Sequence, residues 1–178
     1  MDITAKDYKK LDDYFSTCDE TLLDLAITLY GKNILRYCNS ILCDYHEAEE
    51  VTQDIFIKAY KKKSKFKDGT SFSSWLYKIA YRTCIDNLRK KKFHLYLTKD
   101  IKSYTFNSPP SGISDELKEA LLKIPPKDRA LIFSRVFDKK DFKELEIIYN
   151  VSSQTLRKRY ERAKKKLAKI LKENKFNI

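Results

Sequence analysis

The stretch Glu47-Ala48-Glu49-Glu50-Val51-Thr52-Gln53-Asp54 concentrates side chains that could act on protons or cations. On a helix Glu50 and Asp54 stand one turn apart, with Glu47 before them and Gln53 adjacent. Paired carboxylates can serve general acid–base catalysis, but no nucleophile, pocket glycine or metal ligand accompanies them. Cys18, Cys38, Cys43 and Cys84 form no CxxC, and His46 and His94 give no zinc spacing. The thiols are expected to be small buried side chains in a reducing cytoplasm, and neither metal nor cofactor is expected. Two readings of the acidic stripe remain: an ordinary solvated face, or a docking face whose repulsion between like charges a basic partner relieves.

A second constellation lies in the loop Lys65–Ser74. Phe66, Phe72 and Trp75 interleave with Lys61, Lys62, Lys63, Lys65 and Lys67. Cations beside aromatic rings suit a single strand, the cations on phosphates and the rings or polar groups on bases. Phe72 and Trp75 read as core; Phe66 and the polar loop groups are the better candidates for base contact. Gly69 allows close backbone approach. Arg82, Arg89, Lys90, Lys91 and Lys92 extend along the following helix as phosphate contacts.

The third is DFKELEIIYNVSSQTLRKRYERAKKKL, residues 141–167. Phe142, Leu145, Ile148 and Tyr149 recur at helical spacing; Asn150 suits a left-handed helix end, and Ser152 an N-cap. Leu156, Tyr160, Ala163, Leu167 and Ile170 continue one apolar stripe, and Arg157, Lys158, Arg159, Arg162, Lys164, Lys165 and Lys166 lie mostly off it. This is helix-turn-helix logic, in which the second helix enters a major groove. The competing reading is a helical hairpin with a solvated lysine face.

The elements that must carry these groups are helical. The 178 residues include only three glycines and four prolines, and apolar spacing favours helices nearly throughout. The formal charge of +12 is unevenly spread. Residues 58–92 and 153–178 are basic blocks, whereas residues 44–54 hold five carboxylates and no Lys or Arg, which suggests two polyanion contacts and one separate protein contact. No apolar run reaches membrane-spanning length and the N-terminus lacks a signal-peptide core, so a cytoplasmic protein without stable membrane insertion is expected. The fold class is all-α, two small helical domains joined by a flexible linker. Domain boundaries fall at 1–92, 93–113 (linker, ending in Ser108-Pro109-Pro110-Ser111-Gly112) and 114–178. Helices are expected over 21–43, 47–63 and about 72–91, with residues 1–18 a short extra helix or a loose tail. The linker keeps Phe93, Tyr96, Tyr104 and Phe106, which suits lying along a partner's surface, and the C-terminal half should be only marginally stable alone.

The order acidic helix, FKDGTSFSSWLYKIAYRTCIDNLRKKK, linker, ALLKIPPKDRALIF, helix-turn-helix resembles bacterial sigma factors of the sigma-70 family, most closely the small extracytoplasmic-function (ECF) group. Residues 22–92 resemble the region-2 domain and 114–172 the region-4 domain. The resemblance implies that Glu50, Gln53 and Asp54, with Glu47 nearby, dock on the β′ clamp helices of core RNA polymerase, and it adds the β flap as a polymerase partner. It implies that Lys65, Phe66, Lys67, Asp68, Gly69, Thr70 and Ser71, with Arg82, Arg89 and Lys90, engage the −10 element, the loop Phe66–Ser73 capturing a flipped base. Ser153, Gln154 and Thr155 would fix the recognition-helix end on phosphate, and Arg157, Lys158 and Arg162 would reach the −35 groove, Arg as reader of guanine. The linker resembles the stretch threaded toward the polymerase active centre. An anti-sigma partner is also implied, and no enzymatic activity.

The chain departs from the family pattern at Asn150, where glycine is usual, at Glu146, where a small residue is common, and at Tyr81-Arg82, where many members have Arg-Asn. Residues 1–18 exceed the family minimum. The rival is a stand-alone helix-turn-helix regulator, binding duplex as a dimer without polymerase. A third possibility is a non-specific single-strand binder. The acidic helix and long linker favour the sigma factor, since neither rival needs them.

Overall fold

A computed structural model describes residues 4–17, 19–98 and 115–176. Among them are eight α-helices and no strand: α1 (Ala5–Tyr14), α2 (Glu20–Leu42), α3 (Tyr45–Lys61), α4 (Phe72–Thr98), α5 (Asp115–Leu122), α6 (Pro126–Val136), α7 (Phe142–Tyr149) and α8 (Ser153–Phe176). Short 3-10 turns at Phe15–Thr17 and Lys63–Lys65 follow α1 and α3.

Local chemistry sets the helix ends. Asp19 caps α2 by accepting from the Leu22 N–H at 2.9 Å. The helix stops at Cys43, which turns left-handed at φ 57°, and Asp44 at once caps α3 by accepting from the Glu47 N–H. This tight junction lays α3 along α2. Their core residues Ala26, Ile34, Tyr37 and Ile41 meet Ala48, Val51, Ile55 and Ala59, with Leu76, Ala80 and Cys84 of α4 completing the layer. Cys38, Cys43 and Cys84 are buried thiols outside any disulfide; the hydrogen bond with Cys38, and then burial, push the Cys84 thiol well above its ordinary range.

Residues 4–17 are part of this body. Leu11 and Phe15 are fully buried, so the loose-tail option for the N-terminus is excluded over these residues. A second correction concerns the linker. Helix α4 continues to Thr98, past the break expected after residue 92, and carries Phe93 exposed on its surface. Tyr104 and Phe106 lie outside the described residues.

In the C-terminal half, Pro126 opens α6 at a first-turn position, where its missing N–H has no helical partner to lose. Ala120, Ile124, Ile132, Ala163 and Ile170 form a small core among α5, α6 and α8. Ala130, Leu131, Phe133, Leu145, Ile148 and Leu156 belong instead to the core shared with α2–α4. The two halves meet along a polar-studded seam. The Tyr149 hydroxyl lies 3.1 Å from that of Tyr37 and 3.0 Å from the Ser134 hydroxyl. Arg129 donates to the Ile41 carbonyl, and buried Lys140 to the Ser73 hydroxyl at 3.0 Å. The Tyr81 ring packs edge-on against Tyr149, 4.7 Å between centroids. Tyr81 is one of the residues that depart from the family pattern, and here it serves the seam.

Candidate nucleic-acid and polymerase interfaces

The acidic stripe occupies one side of α3, where Ala48, Val51, Ile55 and Ala59 take the inner face. Glu50, Gln53 and Asp54 are exposed as a result. Asp54 has only a loose ion pair with Lys58 at 4.0 Å, both side chains largely in solvent, which holds neither in place. Glu47 differs: its carboxylate is bound by Lys91 of α4 at 2.9 Å, with only 15% of the side chain exposed. It ties α3 to α4 and is not a free docking group. Beside Gln53 runs an apolar groove of about 650 Å³, lined among others by Leu23, Ile27, Leu35, Phe56 and Ile57. Ile27 and Ile57 are 43% and 51% exposed, unusual for large aliphatic side chains.

The loop between α3 and α4 reverses the expectation for Phe66 and refines the one for Trp75, which packs against the core but is only partly covered. Phe66 is only 4% exposed and packs 5.3 Å from Trp75, 5.9 Å from Phe72 and 5.9 Å from Phe15 between ring centroids. It is a core ring that anchors the loop and offers no face to a base, which corrects the base-contact reading. Trp75 is the half-buried ring instead. It lines a cleft of about 610 Å³ whose wall also holds Lys58, Lys62, Lys65, Lys78 and Arg82. Of these cleft residues, Lys65 and Arg82 were predicted contacts. Lys62 belongs to the cation–aromatic constellation read from the sequence, Lys58 and Lys78 enter there only through the basic block, and Trp75 reads as core. Their side of α3 and α4 follows once the helices are phased by their buried faces, so periodicity carried that signal.

Lys67, Asp68, Gly69, Thr70 and Ser71 are all exposed. Gly69 sits at φ 78°, where a side chain would strain the backbone. Thr70 folds its hydroxyl onto the Lys67 carbonyl at 2.5 Å. Asp68 accepts from both the N–H and the hydroxyl of Ser16, so its carboxylate is engaged within the protein. Arg89 and Lys90 lie exposed further along α4, Arg89 near Asp86 at 3.3 Å.

The helix-turn-helix is built as its sequence implies. Asp141 and Glu144 cap α7 reciprocally: Asp141 accepts from the Lys143 and Glu144 N–H groups, and Glu144 from the Asp141 N–H. Those N–H bonds hold the Asp141 carboxyl below its usual range. Asn150 ends α7 at φ 53°, ψ 47°, the left-handed geometry expected of it. The Ser152 hydroxyl accepts from the Thr155 N–H at 3.4 Å and sits 2.9 Å from the Thr155 hydroxyl. Leu156, Ala163 and Ile170 are buried. Gln154, Thr155, Arg157, Lys158 and Arg162 are exposed and Ser153 half-exposed, all on or near the start of α8. The Arg157 guanidinium rests 4.6 Å from the Phe142 ring centroid, which narrows its positions before any ligand arrives. Arg159 turns inward to pair with Asp128 of α6 at 2.5 Å.

Known proteins place this architecture. Residues 26–94 match the family model "Sigma-70 region 2" and residues 114–167 match "Sigma-70, region 4". The chain is 30% identical over 163 residues to the ECF RNA polymerase sigma factor SigW of Bacillus subtilis, covering 83% of this chain and 87% of that protein. It is 24% identical over 185 residues to the RNA polymerase sigma-H factor of Pseudomonas aeruginosa, covering 95% and 96%. Its fold matches the sigma factor RpoE of Bartonella quintana, solved with the anti-sigma factor NepR, at a TM-score of 0.73 and 22% identity over 84% of this chain and 96% of that one. It also matches CnrH, solved with the cytosolic domain of CnrY, at a TM-score of 0.71 and 16% identity over 94% and 98%.

The chain therefore belongs to the sigma-70 family of RNA polymerase sigma factors, in its ECF group. Such a protein is an initiation factor that directs RNA polymerase, not a stand-alone regulator. Among the described residues no helix is long and apolar enough to cross a membrane.

Proposed function

We propose that three surfaces divide the work of promoter-directed initiation. Glu50, Gln53 and Asp54 of α3, with the apolar groove beside them, dock on the β′ clamp of core polymerase. The exposed loop groups Lys67, Gly69, Thr70 and Ser71, with the Trp75 cleft and Lys65, Arg82, Arg89 and Lys90, hold the melted −10 strand. Arg157, Lys158 and Arg162 of α8 read the −35 duplex while Ser153, Gln154 and Thr155 sit on phosphate; the C-terminal domain would also meet the β flap. Domain limits of 1–92 and 114–178, with residues 93–113 as the linker, fit this division.

The observation that supports it best is one body carrying an exposed acidic face with an apolar groove, on a different side of α3 from a cationic cleft around Trp75. A surface that must bind protein and another that must bind polyanion are thereby separated by charge. Since the RpoE neighbour was solved in complex with the anti-sigma factor NepR, an anti-sigma protein is a further proposed partner. The test is run-off transcription of fragmented genomic DNA by core polymerase, with and without this protein. Discrete transcripts that require it support the reading. Specific duplex shifts by the protein alone, with no transcript, would replace it with polymerase-independent regulation.

A further inference from the structure

The N-terminal segment lies before the region-2 match, which starts at residue 26, yet it grips the loop to which −10 capture is assigned. The Asp12 carbonyl accepts from the Gly69 N–H at 2.7 Å. The Asp12 carboxylate accepts from the Phe72 N–H, also at 2.7 Å, at the first turn of α4. Ser16 gives its N–H to Asp68 at 3.0 Å and its hydroxyl to the other carboxylate oxygen. Between these contacts Phe15 is fully buried, 4.4 Å from the Phe72 ring centroid and 5.7 Å from Trp75.

Each contact fixes a different part of the loop. The Gly69 bond holds the backbone where it turns through positive φ. Asp12 satisfies a helix-start N–H that α4 cannot pair itself, and its negative charge suits the positive end of the helix dipole. Ser71 supplies the remaining cap from within, accepting from the Ser74 N–H at 3.2 Å. Ser16 engages Asp68, the carboxylate that would otherwise stand free beside an approaching phosphate. Loops pinned at both ends and the middle lose less freedom when a ligand binds.

We propose that Asp12 and Ser16 are positioning residues for promoter melting: they preorganise loop 66–72 and the adjoining Trp75 cleft to receive the single strand. This rests on the assignment of that loop to the −10 strand. Neither residue touches DNA in this scheme; each acts through the loop.

The experiment uses the full chain with core polymerase on a promoter found by run-off, reading permanganate reactivity of −10 thymines alongside affinity for core enzyme. Asp12→Ala should lower reactivity on the order of ten-fold, the scale of one lost bond to a charged acceptor, while polymerase affinity stays within about two-fold. Asp12→Asn, which keeps the Oδ1 acceptor, should restore melting, a rescue that a general loss of stability would not give. Ser16→Ala should fall between them and guards against misfolding of the Asp12 variant. Wild-type melting in both alanine variants overturns the proposal, as does melting lost only in step with polymerase affinity. A Lys67→Ala, Thr70→Ala double variant separates the two levels: if it melts like wild type, the loop assignment itself is wrong and the inference goes with it.

Discussion

The two DNA-facing regions reach their shapes by opposite routes. The helix-turn-helix is local: its caps pair residues two or three apart, its turn is set by Asn150, and its recognition side chains project from one helix. The loop before α4 is tertiary, held by Asp12 and Ser16 from more than fifty residues away and by a ring cluster drawn from three chain segments. A duplex presents a regular groove, and one rigid helix matches it. A melted strand has no fixed shape, so the protein must supply the shape, and contacts from several elements do that.

The largest expected effect breaks the tertiary side. Phe66→Ala opens a cavity among Phe15, Phe72 and Trp75 and should cost about 3–5 kcal/mol of stability, measured by chemical denaturation. A loss below about 1 kcal/mol would mean that the ring cluster is not what holds the loop. On the local side, Arg157→Ala should relax discrimination at one −35 position by about 1–3 kcal/mol if the guanidinium bonds a guanine edge in two places. Binding measured across a set of single −35 substitutions checks it, and a uniform loss at every sequence would reduce Arg157 to a phosphate contact.

The same contrast explains what was legible in the sequence. Leu145, Ile148, Leu156, Ala163 and Ile170 follow from helical periodicity alone and are buried as expected. Phe66 is expected at a base and lies in the core, while Trp75 packs against the core as expected but stays only half-buried, because an aromatic residue's exposure near a loop depends on what arrives from elsewhere. What arrives is Phe15, and nothing local to residues 1–18 signals that they pack there. Glu47 was grouped with the exposed carboxylates on spacing, but Lys91, forty-four residues on, takes it out of solvent. The end of α4 is expected near residue 92 because the run Arg89-Lys90-Lys91-Lys92 interrupts the apolar periodicity, whereas the backbone stays helical to Thr98.

Where the regions meet, one carboxyl ties the comparison to pH. Burial pushes Asp138 up to about 6, opposed by the Tyr77 hydroxyl, Lys140 and Arg36, and its Oδ2 is buried without a hydrogen-bond partner. The raised value means that the folded state holds the proton more tightly than the unfolded chain, whose carboxyl titrates near 3.8. Stability from this group is complete below that value and is lost as pH rises through about 6. Asp138→Asn removes the buried charge and keeps an acceptor for Tyr77. It should stabilise the protein by about 1–2 kcal/mol near pH 7, after allowance for solvent screening of a group that is only partly buried. Denaturation curves for both proteins near pH 5 and pH 7 test this, and equal pH dependence in the two would place the titrating group elsewhere.

The smallest effect sharpens the local side. Asn150 adopts the left-handed geometry at the end of α7, and its N–H bonds the Glu146 carbonyl at 2.9 Å. Alanine in that conformation brings Cβ close to the following carbonyl, and Asn150→Ala should cost about 1 kcal/mol. Asn150→Gly removes the steric cost but adds freedom to the unfolded chain, so the two terms oppose and should nearly cancel, within about 0.5 kcal/mol. If the turn is as self-contained as its contacts indicate, neither change should alter the loop before α4. The readout is paired: unfolding for the helix-turn-helix, and permanganate reactivity of the −10 thymines for the loop. Reactivity that shifts with Asn150→Ala would show that the seam through Tyr149 transmits strain from the turn into α4, and the two regions would then be one mechanical unit.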